Sequence, residues 1–168
     1  SRSHKLIREK SGLITIIGGK WTTYRKMAQD TLDLAIRYMH IPTKDCITER
    51  YQIHGSRKNP DFSDPLYVYG TDADEIRNLV ASSPAMAEKL HPDYAYTVGE
   101  VTWLVRNEMP RTLEDVLARR LRILFLDARA AMAMAPKVAG ILATEWGKDE
   151  TWTSAQVKAF NEVASNYI

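Results

Sequence analysis

The apolar positions of this chain follow a strand pattern near the N-terminus and a helical pattern over most of the remainder. Residues 13–17 are an almost continuous apolar run, rich in β-branched side chains and bounded by glycines on both sides. Such a run predicts a strand that is buried on both faces of a sheet. The wider stretch of residues 4–17 is predicted to be extended, with a charged turn at residues 8–12, and one further short strand candidate lies at residues 45–53. We therefore expect the chain to be a piece of a longer protein.

A helical pattern starts immediately after Gly18 and Gly19. Thr22 or Thr23 is expected to cap this helix, and Pro42 is expected to end it. The residues that share one helical face are Tyr24, Met27, Ala28, Thr31, Ala35 and Tyr38. The first part of the chain is thus predicted to be a strand, a tight glycine turn and a helix.

The second half of the chain is predicted to be a series of helices. Capping signals indicate helix starts at Thr71 or Asp72, at Ser83-Pro84, at Thr97, at Thr112 with Asp115, and at Thr153 or Ser154. We expect the helix that begins at Thr112 to run on through Leu124. A longer, Ala- and Met-rich helix is expected over residues 127–146, with a break or restart at Pro136 and an end at Gly147.

These patterns define an expected architecture. The fold class is predicted to be mainly α, with a helical C-terminal domain preceded by a short strand–turn–helix remnant. Residues 1–42 hold the remnant, residues 43–70 form an irregular connector punctuated by glycine and proline, and residues 71–168 form the helical domain.

Composition narrows the class of protein. The 168 residues include 23 Lys and Arg against 21 Asp and Glu, so the net charge is only +2. This near balance argues against a dedicated nucleic-acid binder, and no nucleic-acid partner is expected. Cys46 is the single cysteine, which excludes an internal disulfide. No apolar run is long enough for a transmembrane helix.

A cluster of arginines, Arg119-Arg120-x-Arg122, leaves two interpretations open. It could be a basic patch for nucleic acid or anionic lipid. Alternatively, the arginines pair with acidic residues or dock onto a missing domain. The acidic residues available for pairing are Glu100, Glu108, Glu114 and Asp115.

Candidate chemistry is concentrated at the turn between the predicted strand and the first helix. Gly18 and Gly19 would let a flat or anionic ligand approach the backbone, and the helix start would present N–H groups that lack partners. The turn is not a P-loop, because Ile14 and Trp21 stand where that motif needs glycine and Ser or Thr. An equally open interpretation is a tight structural turn with a solvated Lys20.

The most specific motif in the chain is Gly-Gly-Lys-Trp-Thr-Thr-Tyr-Arg at residues 18–25, within the longer apolar and helical stretch of residues 11–28. Two further motifs are Glu-Val-Thr-Trp-Leu-Val-Arg-Asn-Glu-Met at 100–109 and Leu-Glu-Asp-Val-Leu-Ala-Arg-Arg-Leu-Arg at 113–122. Together they resemble the family of FAD-dependent glycerol-3-phosphate dehydrogenases. The resemblance implies that the strand–turn–helix is a remnant of that family's α/β FAD-binding domain, followed by its helical C-terminal domain.

The resemblance also implies roles for particular residues. The residues that match positions beside the flavin ring are Gly18, Gly19, Trp21, Thr22 and Thr23. Lys20 matches a lysine that faces the substrate, and Arg2 matches an arginine that helps to bind the substrate phosphate. No catalytic residue is assigned, because the family's active-site histidine lies upstream of this segment. No metal site is expected.

The activity that the resemblance implies is the oxidation of sn-glycerol 3-phosphate to dihydroxyacetone phosphate, with electrons passing through FAD to a membrane quinone. The chain lacks a G-x-G-x-x-G motif after a strand, so it is expected to be inactive alone and not to retain FAD. The implied location is cytoplasmic, peripheral to the inner face of the cell membrane. A homodimer is a further assembly that the resemblance leaves open.

Two alternatives remain open at the level of sequence. One is a glycerol-3-phosphate oxidase, which passes electrons to oxygen. The other is a stand-alone helical interaction module, which predicts a stable fold with no exposed apolar edge at residues 13–17. The truncated-enzyme interpretation predicts that this strand is frayed, mispaired or buried in a dimer.

Overall fold

A computed structural model describes residues 3–168 of the chain. Within it the packing divides the protein into two compact units, one that extends to Ile53 and one that comprises His54–Ile168. The described residues are mainly helical with one small sheet, so the predicted fold class is confirmed. No helix in residues 3–168 combines the length and apolarity that crossing a bilayer requires.

The first unit begins with a β-hairpin. Strand β1 (His4–Arg8) pairs antiparallel with β2 (Ile14–Gly18), and His4 lies opposite Gly18 in the register. The predicted strand is therefore present, but the prediction that it is buried on both faces is wrong for the described residues. Leu13 is 59% exposed and Ile17 is 49% exposed, because a two-stranded sheet leaves one edge and much of one face uncovered.

The second strand candidate, at residues 45–53, is not a strand. All nine positions are exposed, and no sheet edge in the described part of the chain pairs with them. The apolar residues of this segment have nothing to pack against in the unit, so their pattern does not produce a strand. Arg25 instead fixes the segment by donating to Thr48 Oγ1 at 3.1 Å and to Glu49 Oε1 at 3.2 Å.

The helix of the first unit follows the hairpin through one turn of 3₁₀ helix, Trp21–Thr23, and continues as α1 (Tyr24–Met39). Helix α1 ends before the predicted stop at Pro42, because His40 adopts a left-handed conformation with φ of 54°. None of the described residues of the first unit is fully buried. This unit therefore has secondary structure but no core of its own.

The second unit is built from seven helices and two 3₁₀ segments. The 3₁₀ segments are Tyr67–Asp72 and Ser165–Tyr167. The helices are α2 (Ala73–Ala81), α3 (Pro84–Ala87), α4 (Val98–Asn107), α5 (Leu113–Leu117), α6 (Ile123–Leu126), α7 (Ala128–Trp146) and α8 (Glu150–Ala164). The predicted caps at Ser83, Thr97 and Thr112 are confirmed, since each side-chain oxygen accepts a hydrogen bond from the backbone N–H three residues on.

Three predicted helix boundaries in this unit are wrong. Helix α5 stops at Leu117 rather than running through Leu124, and a turn that ends at the left-handed residue Arg122 separates it from α6. Helix α7 is continuous through Pro136. Helix α8 begins at Glu150, before the predicted Thr153 or Ser154, because the side chain of Asp149 caps it by accepting from Trp152 N at 2.8 Å.

The buried face of α7 forms the centre of the core. Helices α4, α5, α6 and α8 all contact it. Its fully buried side chains include Ala131, Met134, Ala135, Val138 and Leu142. Pro136 lies on the exposed side of the same helix. Packing on the buried side compensates for the hydrogen bond that proline removes, which explains why the helix does not break.

Two of the three arginines of the cluster pair with acidic neighbours, as the second interpretation predicts, whereas Arg122 is exposed and forms no ion pair with a described residue. Arg119 donates to Glu114 Oε1 at 2.7 Å and to Asp115 Oδ1 at 3.0 Å, and Arg120 donates to Glu108 Oε2 at 3.0 Å. Glu100, the fourth candidate partner, forms no ion pair with an arginine. It accepts a hydrogen bond from the Tyr69 hydroxyl at 2.7 Å instead.

Gly99 and Gly140 provide a matched test of packing in this core, because both are helical glycines. A Cβ at Gly99 would lie 2.9 Å from Val80 Cγ2 and 3.0 Å from Met86 O, whereas a Cβ at Gly140 would meet nothing within 4 Å. We expect Gly99→Ala to lower the free energy of unfolding by about 1–3 kcal/mol. Gly140→Ala should raise it by about 0.5–1 kcal/mol through helix propensity. Urea denaturation of both variants checks this, and equal effects would contradict it.

The burial of Glu100 predicts that the free energy of unfolding depends on pH. Burial raises the pKa of Glu100 above its ordinary value of 4.5, against the opposing effect of the hydrogen bond from Tyr69. Since the folded pKa exceeds the unfolded one, this side chain contributes most to stability below pH 4.5, and that contribution is lost as pH rises through the folded pKa. The neutral variant Glu100→Gln should therefore gain stability relative to wild type as pH rises.

Urea denaturation of wild type and Glu100→Gln from about pH 4 to pH 8 measures this difference. Glu75→Gln is the matched control, because Glu75 also accepts a hydrogen bond from an aromatic residue, Trp103 Nε1 at 3.0 Å, but is exposed. A stability difference between Glu100→Gln and wild type that stays constant over this range would show that Glu100 has no raised pKa.

Candidate functional site

The turn between β2 and the first helix is held by two glycines with left-handed backbone conformations. The φ angle is 76° at Gly18 and 85° at Gly19, in a region that residues other than glycine rarely adopt. A Cβ at Gly19 would also lie 2.6 Å from Met27 Sδ and 3.4 Å from His4 Cβ. The backbone conformation at position 19 therefore favours glycine, and a side chain there would also displace the end of the Met27 side chain.

The Thr23 side chain closes the turn. Its hydroxyl accepts a hydrogen bond from Lys20 N at 3.2 Å and donates one to Lys20 O at 2.9 Å. The Thr23 N–H also donates to Lys20 O, at 3.0 Å. These bonds fix the backbone of Lys20, and they commit the Thr23 hydroxyl to the protein's own main chain.

The backbone amides at the start of this helix remain available. Trp21 and Thr22 are the first two residues of the helical turn, so their N–H groups have no intrahelical acceptor. No other described residue accepts from them. Two parallel donors therefore lie at the positive end of the helix dipole, where they are suited to a negatively charged or carbonyl-bearing ligand.

The side chains around these amides are open to solvent. Trp21 is 89% exposed and Tyr24 is 65% exposed, and their ring centroids lie 6.0 Å apart. Lys20 is exposed and forms no ion pair with any described residue. The turn therefore presents two exposed aromatic rings, inclined at 35° to each other, together with an unpaired ammonium group and free amides.

The neighbouring charges are already paired. Asp30 Oδ1 lies 2.8 Å from Lys26 Nζ, and Asp30 Oδ2 lies 3.0 Å from His4 Nε2. The hydrogen bond from Lys26 holds the pKa of Asp30 below its ordinary value, and the same contact raises the pKa of Lys26. The spacing of Lys26 and Asp30 on a helix predicts their contact, but the approach of His4 depends on hairpin packing that the sequence does not reveal.

The sequence-predicted site residues are thus largely brought together. Gly18, Gly19, Lys20 and the helical turn Trp21–Thr23 are contiguous on one surface, and all except the half-buried Gly19 are exposed. The predicted phosphate ligand Arg2 lies outside the described residues. Nothing in residues 3–168 groups three His, Cys, Asp or Glu side chains in a way that could hold a metal ion.

Cys46 is a feature whose environment the sequence does not reveal. Its Sγ lies 3.0 Å from Thr48 Oγ1, and this hydrogen bond lowers the pKa of the exposed thiol. Arg25, which donates to the same hydroxyl, also favours the thiolate electrostatically. Composition alone gives no reason to expect an activated thiol at this position.

Comparison with known proteins identifies relatives of the whole chain. Residues 13–153 match the family model described as the C-terminal domain of alpha-glycerophosphate oxidase. A probable mitochondrial glycerol-3-phosphate dehydrogenase from Caenorhabditis elegans is 34% identical over 100% of the chain and 26% of its own length. A mitochondrial glycerol-3-phosphate dehydrogenase from Arabidopsis thaliana is 30% identical over 99% of the chain and 34% of its own length.

The chain thus spans about a quarter to a third of the length of these relatives. A mitochondrial glycerol-3-phosphate dehydrogenase from Mesocricetus auratus, 29% identical, is covered to a similar extent, 25% of its length. The family model matches most of the chain and includes the glycine turn as well as most of the helical unit. The chain therefore belongs to the glycerol-3-phosphate oxidase and dehydrogenase family, whose C-terminal domain it matches.

Proposed function

We propose that this chain is the C-terminal part of an FAD-dependent enzyme that oxidises sn-glycerol 3-phosphate to dihydroxyacetone phosphate. The observation that carries the proposal is the glycine turn, where free amides, an exposed aromatic surface and the unpaired Lys20 lie together in a chain of this family. The names of the relatives give the same substrate.

The residues of the turn fit a flavin. The free N–H groups of Trp21 and Thr22 match the carbonyl oxygen and the negative charge that a reduced flavin carries at its pyrimidine edge. Gly18 and Gly19 leave the backbone accessible to a flat ring. Thr23 acts indirectly, since its hydroxyl fixes the turn that presents these amides. When bound, FAD supplies the hydride-accepting chemistry of the reaction.

Lys20 is proposed to orient the substrate. Its ammonium group is exposed beside the free amides and is not neutralised by a described carboxylate, so it is available to a phosphate or to the reacting oxygen. Arg2 is the second proposed phosphate ligand. Both residues position the substrate rather than transfer its protons, and the proton acceptor is expected upstream of this chain.

The exposed apolar residues of the first unit are consistent with a larger enzyme. Leu13, Ile17 and Trp21 are exposed on a unit without a core, which is the reverse of what a stand-alone interaction module predicts. We propose that the rest of the enzyme covers this surface, and that the chain alone neither binds FAD nor turns over. A homodimer of the full enzyme is compatible with the same surface.

We propose a membrane quinone as the electron acceptor, with the enzyme peripheral to the inner face of the cell membrane. The names of the relatives place those proteins in mitochondria. Oxygen is the alternative acceptor, and the description of the matching family as an oxidase domain favours it. The two proposals differ in what forms when the reduced flavin is reoxidised: a reduced quinone in the first case and hydrogen peroxide in the second.

Substitution of Lys20 tests the proposed substrate site. In the full-length enzyme, Lys20→Ala should lower kcat/KM for glycerol 3-phosphate by about 100-fold, because the variant lacks the positioned ammonium group that interacts with the substrate. The flavin content should stay unchanged. Lys10→Ala is the matched control, an exposed lysine in the turn between β1 and β2, and it should retain full activity. Dye-reduction rates and flavin absorbance provide the measurements, and an unchanged kcat/KM in Lys20→Ala would refute the role.

The electron acceptor is tested with the same full-length enzyme in air. We expect glycerol 3-phosphate to drive reduction of a soluble quinone analogue, with little hydrogen peroxide formed in its absence. Peroxide produced in equal amount to dihydroxyacetone phosphate would instead identify an oxidase. Coupled peroxide and quinone-absorbance assays on one preparation distinguish the two outcomes.

A further inference from the structure

The helical unit contains a second candidate site, unrelated to the glycine turn. A cleft of about 630 Å³ opens beside α2 and the start of α4. Its walls are mainly apolar, and they include Leu66, Ile76, Val80 and Tyr96. This volume lies within the range of small-molecule sites, which are typically apolar with a few polar groups that fix the ligand.

Glu100 is the buried polar group of this cleft. Its side chain lines the cleft although the residue is only 4% exposed. Oε1 accepts the hydrogen bond from Tyr69 at 2.7 Å, and the Thr97 backbone N–H also stabilises the carboxylate. Glu100 therefore presents a carboxylate at the wall of the cleft whose donors are neutral groups of the protein.

No cation of the protein neutralises this carboxylate. Within residues 3–168, no lysine, arginine or histidine lies within 4.0 Å of Glu100 in an ion pair. Arg77 lines the same cleft, but its guanidinium is held by Asp64 and Asp74. Burying a carboxylate without a counter-charge is costly, and a cationic ligand would remove that cost.

The aromatic residues of the cleft favour the same kind of ligand. Tyr94 and Tyr96 both line it, and their rings are stacked with centroids 6.2 Å apart. Both hydroxyls are already engaged, with Asp127 Oδ2 at 3.1 Å and Leu121 O at 3.0 Å respectively, so the rings offer apolar and π surface rather than free donors. Such surfaces attract organic cations.

We propose that this cleft binds a small organic ammonium ion with an apolar body, whose charged group pairs with Glu100 and whose body contacts Ile76, Val80 and the tyrosine rings. The proposal does not depend on the flavin or on the substrate of the glycine turn. It assigns to the helical unit a ligand site of its own.

The test compares three probes that share one apolar chain: n-hexylammonium, n-hexanol and n-hexanoate. Each is titrated into the full chain at neutral pH and followed by NMR shifts of the Ile76 and Val80 methyl groups. We expect hexylammonium to bind about tenfold more tightly than hexanol, and hexanoate to bind most weakly, because only the first offers a counter-charge. Equal affinities for hexylammonium and hexanol, or no shift at these methyl groups, would overturn the proposal.

A pair of variants then assigns the preference to one carboxylate. Glu100→Gln keeps the acceptor for Tyr69 but removes the charge, so the affinity for hexylammonium should fall to that of hexanol while the affinity for hexanol is unchanged. Glu75→Gln removes an exposed carboxylate that does not line the cleft, and it should keep the wild-type preference. A preference for hexylammonium that survives in Glu100→Gln would refute the role of Glu100, and the wild-type titrations test the site without any variant.

Discussion

The small side chains on the buried face of α7 determine how closely the other helices of the second unit approach one another. Ala131 and Ala135 lie at zero exposure on this face, which also carries the larger Met134 and Leu142. Because alanine adds little bulk, α4 and α8 can pack directly against the α7 backbone. The same close packing keeps α7 continuous at Pro136. The position of α4, and with it the cleft around Glu100, therefore depends on the alanines of a helix that does not itself line the cleft.

The first unit depends on a different balance of forces. Its described residues include none that is fully buried, so hydrophobic burial stabilises it far less than the second unit. What defines its conformation is hydrogen bonding: the hairpin ladder, the Thr23 bonds to Lys20 and the Asp30 contacts with His4 and Lys26. Polar networks of this kind specify a geometry without contributing much net stability. The proposed cover by the rest of an enzyme would supply the missing burial.

The predictions from sequence succeed where the cause is local and fail where it is distant. Caps at Ser83, Thr97 and Thr112 involve residues three positions apart, and a sequence pattern suffices to find them. The start of α8 is missed because Asp149, Thr153 and Ser154 are all residue types that cap helices, and it is the Asp149 side chain that accepts from Trp152 N. The strand expected at residues 45–53 does not form, because no other strand in the described residues pairs with this segment. In the candidate site, the glycine turn is a local motif and is found, whereas the His4–Asp30 contact spans 26 positions and is missed; in the cleft of the helical unit, the Tyr69–Glu100 contact spans 31 positions.

The reciprocal hydrogen bonds between Thr23 and Lys20 have a thermodynamic consequence. A loop that orders only when its ligand arrives loses chain entropy at that moment, and this loss weakens binding. Here the backbone of Lys20 is already restrained, and the amides of Trp21 and Thr22 are aligned by the helix that follows. Association at this turn can then be close to rigid-body docking. Discrimination between anions would arise from their shape and charge placement rather than from their ability to order the chain.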